Sequence, residues 1–121
     1  MKTWKNIAVI AAVLAIVGLG YIPSSSAGEK KSIEQMITEA KTPADHEAIA
    51  AFYEKQAKMA HKEHTRHQKM RDLYAATPAL KAKHGTGFSD HCDALVKHYE
   101  DMAKQYEAMA QMHKEMAKAA Q

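Results

Sequence analysis

The stretch Ser89–Met116, SDHCDALVKHYEDMAKQYEAMAQMHKEM, decides the fold. It holds neither Pro nor Gly. Counting from Phe88 just upstream, its apolar and soft residues are Phe88, Cys92, Leu95, Tyr99, Met102, Tyr106, Met109, His113 and Met116. The steps alternate four and three, the spacing of one stripe on a helix that packs against another helix. A common core stripe is Leu, Ile and Val. This one opens on His91-Cys92 and closes on His113-x-x-Met116, so metal donors sit at both ends of a packing seam.

Upstream, Thr42-Pro43-Ala44-Asp45 reads as a helix start. Thr42 can cap, Pro suits the first turn, and Asp45 and Glu47 complement the positive helix end. Nothing breaks that helix before Thr77-Pro78, and its seam reads His46, Ile49, Tyr53, Gln56, Ala60, Glu63, His67, Met70 and Tyr74. Ala79–Gly87 is expected to be a flexible linker, with Ser89 or Asp90 capping the final helix. Ser32–Lys41 reads as a short helix stopped by Thr42-Pro43. The expected fold is all-α: a long antiparallel helical hairpin with a short N-terminal helix. Two helices alone have a poor ratio of core to surface, so a homodimer forming a four-helix bundle is expected.

Met1–Ala27 reads as a secretory signal peptide, with Lys2 and Lys5, an apolar run Ile7–Leu19, and Ser25-Ser26-Ala27 before Gly28. The apolar run is shorter than the ~20 residues a membrane span needs. The expectation is a periplasmic or secreted domain over residues 28–121, with no membrane association after signal removal. Without Lys2 and Lys5 the basic count falls from 17 to 15 against 14 acids, leaving about +1. That balance is no footprint for nucleic acid. All eight His lie in that domain. The single Cys cannot form an internal disulfide.

Sliding the chain by 46 residues lays Ala48, Tyr53, Glu54, Ala57, Lys58, His67 and Met70 on Ala94, Tyr99, Glu100, Ala103, Lys104, His113 and Met116. This suggests a duplicated helix. With the turn centred near Lys81, His67 and Met70 approach His91 and Cys92, while His46 approaches His113 and Met116. The two donor clusters lie ~30 Å apart at ~1.5 Å per helical residue.

The loop-proximal cluster, His67, Met70, His91 and Cys92, can be joined by His64 and Glu63. Imidazole, thiolate and thioether favour copper, above all Cu(I), over hard cations. Zinc is an alternative for His, Cys and Glu, and non-covalent haem between facing His and Met is another. The distal cluster, His46, His113 and Met116, lacks a thiol and is expected to be the weaker metal site. Zincin spacing, a nucleophile elbow, a phosphate loop and the Glu-rich seams of a di-iron bundle are all missing from the sequence. The reading is therefore a non-enzymatic metal-binding protein for storage, buffering or delivery. Its rival is a structural or stress-response module whose His and Met only fill an irregular core.

The ordered pattern D-H-x-A-[IL]…Y-E, then H-C-x-x-L-x-x-x-Y-E and a closing H-x-x-M, resembles that of a group of small exported bacterial helical proteins. It spans Asp45–Met70 and His91–Met116. The resemblance implies export and a helical bundle, and carries over no activity, ligand or partner.

Overall fold

The computed structural model describes residues 30–120. The expected signal peptide, Met1–Ala27, lies outside the described residues. Four helices follow in order: α1 (Ile33–Glu39), α2 (Pro43–Ala76), α3 (Pro78–His84) and α4 (Gly87–Ala119). All regular structure among the described residues is helical, so the domain is all-α.

The sequence punctuation acts as elementary chemistry requires. Ser32 caps α1 through a capping box with Gln35. Thr42 and Asp45 form the same box at the start of α2, with Pro43 in the first turn. The Asp45 carboxylate accepts from the Lys41 and Thr42 backbone N–H groups at 3.0 and 2.9 Å and from the Thr42 hydroxyl at 2.8 Å. These bonds, the Lys41 backbone first, hold its pKa down to about 2.

The linker differs from expectation. Pro78 starts a further helical turn, α3, which ends at Gly85 with φ 60°. Glycine adopts that left-handed conformation without the clash a Cβ would bring, and its N–H satisfies the Lys81 carbonyl. α4 starts at Gly87, before Ser89 and Asp90; the Thr86 hydroxyl donates to Asp90 at 2.8 Å.

α2 and α4, of 34 and 33 residues, pack along their lengths as an antiparallel hairpin. At ~1.5 Å rise per residue each is ~50 Å long. Register is marked by stacked rings: His46 with His113, Tyr53 with Tyr106, and Tyr74 with Phe88. Outside the seam His61 meets Glu107 at 2.7 Å, Arg71 meets Asp93 at 3.1 Å, and Lys114 meets Glu54. Such exposed pairs fix alignment more than they stabilise.

The seam is narrower than the sequence reading proposes. The buried residues of α4 are Cys92, Ala103, Ala110 and Ala117; those of α2 are Ile49, Ala50, Ala57, Ala60 and His67. Part of the expected α4 stripe is displaced by one position: Leu95, Met109 and Met116 are 37%, 36% and 48% exposed, beside buried or half-buried Val96, Ala110 and Ala117. Alanine wins these places because the gap between axes is set by the side chains at the contact, and small ones let the backbones close. The half-buried rings of Tyr53, Tyr99, Tyr106 and His113 fill the alternate layers.

α1 lies against the N-terminal half of α2 across an open hollow lined by Ile33, Met36, Ala48, Ala51 and Phe52 among others. No described helix is long and apolar enough to cross a membrane.

Candidate metal centre

Two imidazoles meet at the open end of the hairpin. Nδ1 of His46 and Nδ1 of His113 are 3.2 Å apart, with ring centroids 5.4 Å apart. One ring supplies the proton and the other the lone pair. Burial, and then the charge of His46, push the His113 pKa below its ordinary value. Tyr53 stacks over His113 at 6.0 Å with planes 20° apart.

The register set by that pair carries down the seam in heptads. Seven residues on from His46 is Tyr53, and seven back from His113 is Tyr106, the ring it stacks on at 6.2 Å. Two further heptads reach His67 on α2 and Cys92 on α4. Both are buried, at 7% and 4% exposure. His67 stacks on Tyr99 at 5.4 Å with planes 11° apart. Its Nδ1 has no hydrogen-bond partner in the protein. The Glu63 carboxylate lies 3.9 Å from Nε2, beyond hydrogen-bond reach.

The 46-residue repeat relates these two places by sequence position. It lays His46 on Cys92, Tyr53 on Tyr99 and His67 on His113 without any insertion. The pair His46–His113 then corresponds to Cys92–His67, and the stack of Tyr53 on His113 corresponds to that of Tyr99 on His67. The antiparallel hairpin thus carries a pseudo-twofold relation between its two tyrosine–imidazole stacks.

The other expected donors differ in exposure and partners. His91 is exposed and lines a shallow hollow with His84, Gly87 and Phe88. Met70 and His64 are half-buried. His64 helps Lys104, the main cause, to hold the Glu100 carboxyl below its ordinary pKa. Glu63 pairs with Arg66 at 3.3 Å as well as facing His67. Met116, expected beside His46 and His113, is nearly half exposed. Among the described residues no three His, Cys, Asp or Glu side chains converge on one ion. What the structure brings together is one pair of imidazoles, His46 and His113; His67 and Cys92 are each buried on facing helices at matching heptad positions of the seam.

No protein-family model matches the chain, nor does any curated protein or solved structure.

Sequence reasoning missed the methionine-rich outer face. Phe88, Leu95, Met102, Met109 and Met116 recur every seven residues on α4; Leu95, Met109 and Met116 are exposed, Met102 is half-buried, and Phe88, partly exposed, stacks on Tyr74. Met59 of α2 shares a groove with Met102, lined also by Gln56, Glu63, Tyr99 and Tyr106. The signal was the heptad period itself, carried by two adjacent stripes instead of one.

Proposed function

We propose that this protein is an exported helical hairpin that holds a soft monovalent metal ion, copper(I) first, between His67 and Cys92, for storage, buffering or delivery. The carrying observation is a buried imidazole nitrogen without a protein partner; its residue and the buried thiol of the facing helix each lie two heptads from the Tyr53–Tyr106 stack. A buried polar atom left unpaired costs free energy, on the order of 1–3 kcal/mol. A ligand that satisfies it recovers that cost. Thiolate selects Cu(I) over hard ions, and Cu(I) accepts two donors, whereas a structural zinc site takes four. Met70, one turn beyond His67, is the nearest thioether in sequence that could add a third. We leave His91 out of the proposed ligand pair, since its exposed side chain lines the hollow at the α3–α4 corner.

A second copy of the chain covers the methionine face in this reading, which gives a four-helix bundle. Ile49 is the only large side chain among the described residues that is fully buried, so the hairpin's own core is thin. A face ~50 Å long and two helix diameters of ~10 Å wide offers ~1,000 Å² per copy. That exceeds the ~800 Å² per partner of a stable interface.

The test is competition for Cu(I) against a chromogenic chelator. Wild type takes up the ion, Cys92→Ser and His67→Ala each lose the tight component, and His91→Ala retains it. Equal uptake by wild type and the two seam variants would reject the site. Added haem is expected to give no Soret band of a ligated complex.

A further inference from the structure

We propose that His46 and His113 form a second, chemically different site: a two-imidazole seat for a borderline divalent cation of the zinc, nickel or copper(II) type. It does not rest on the thiol site and stands or falls separately. The Nδ1 atoms lie 3.2 Å apart. Two imidazole nitrogens bound at ~2.0–2.1 Å to one tetrahedral ion are separated by roughly 3.3–3.4 Å, so a cation fits with a shift of about 0.2 Å. In the metal-free pair one proton bridges the nitrogens. On binding, the donor ring takes its proton at Nε2 instead, both Nδ1 lone pairs turn to the ion, and a neutral pair releases no net proton.

The seat is held from both sides. His46 stands in the first turn of α2, which the Thr42–Asp45 capping box fixes. Tyr53 backs the ring of His113. Both imidazoles are only half-buried, so the ion reaches them from solvent and water completes its shell. The neighbouring carboxylate, Asp45, is committed to the helix cap and supplies no ligand. Imidazole and water suit a borderline divalent ion, and Met116, expected from sequence beside the pair, is turned half to solvent. A filled seat ties the N-terminus of α2 to the last turns of α4 and closes the end of the hairpin opposite the loop.

The experiment is titration of the purified protein with ZnCl₂ and NiCl₂. The histidine ring nitrogens are followed by ¹⁵N NMR in the zinc arm, and thermal unfolding is followed in both arms. About one equivalent of zinc is expected to move the Nδ1 resonances of His46 and His113 before those of any other histidine, and to raise the melting temperature. His113→Gln and His46→Ala lose both responses, while Cys92→Ser keeps them. The wild-type resonances decide the matter even if a variant unfolds. Rings that ignore zinc up to millimolar concentration, a pair that only shares a proton, or a His113→Gln variant that responds like wild type would overturn the proposal.

Discussion

The imidazole of His67 lies flat on the ring of Tyr99, centroids 5.4 Å apart and planes 11° apart, as that of His113 lies on Tyr53 at the opposite end of the hairpin. Each stack locks an imidazole into one orientation across the seam. The His113 stack delivers a nitrogen to His46. The His67 stack leaves its Nδ1 buried without a protein partner, on a seam where the facing helix buries Cys92. The difference between the two ends is one substitution in the pattern, a thiol where the other end has a second imidazole.

His67 is a cost to the metal-free fold. Replacing it with Leu, apolar and of similar size, removes an unpaired buried nitrogen. The His67→Leu protein is expected to be as stable as wild type or up to about 2 kcal/mol more stable without metal, while losing Cu(I) uptake. Urea unfolding with and without Cu(I) checks both halves. A His67→Leu variant several kcal/mol less stable without metal would mean that the imidazole is satisfied in the native state.

Ala103 is 0% exposed at a point where the two helices meet. Ala103→Leu forces the backbones apart and is expected to destabilise the hairpin by about 1–3 kcal/mol. Ala108→Leu, on an exposed face of the same helix, is expected to change stability by less than about 0.5 kcal/mol. Chemical denaturation of the two variants distinguishes a close-packed alanine seam from an incidental one.

The cap at the start of α2 has a pH signature. Thr42→Ala removes one half of the box and is expected to cost about 1 kcal/mol. The Asp45 pKa falls from 3.8 to about 2 on folding. Its folded value is depressed, so its contribution is complete above the unfolded value and fades as pH falls from about 4 towards 2. Asp45→Asn therefore lowers stability at neutral pH and flattens the acid limb of the stability curve. Melting temperatures measured between pH 7 and pH 2 test the sign.

The methionine face makes oligomeric state a direct readout. Met109→Glu with Met116→Glu places charge on the stripe at positions already 36% and 48% exposed. Light-scattering mass is expected to fall from twice the chain mass to the single-chain mass, with helix content kept. A wild-type protein that is monomeric at high micromolar concentration contradicts the bundle.

Much of the architecture could be read in the residues, for identifiable reasons. Thr42-Pro43 and Thr77-Pro78 punctuate the chain with a capping residue and an imino ring, and α2 runs between them. The antiparallel register followed from placing the bend near Lys81, and the stack of Tyr74 on Phe88 agrees with it. The seam was harder. Met and Leu outweigh Ala on any hydrophobic scale, yet the closest approach of two backbones selects Ala, so Leu95, Met109 and Met116 moved to the surface. Adjacent residues on a helix point about 100° apart. His91 and Cys92 therefore could not both enter one seam, and the buried place went to Cys92. The unpaired nitrogen of His67 has no sequence signature, because it depends on what the facing helix does not offer.

The most direct test of the account is copper K-edge X-ray absorption on protein loaded with one equivalent of Cu(I). The account predicts a low-coordinate ion with one sulfur and one imidazole nitrogen, the sulfur shell vanishing in Cys92→Ser and the imidazole scattering in His67→Ala. A spectrum of nitrogen or thioether ligands that neither substitution alters would contradict it.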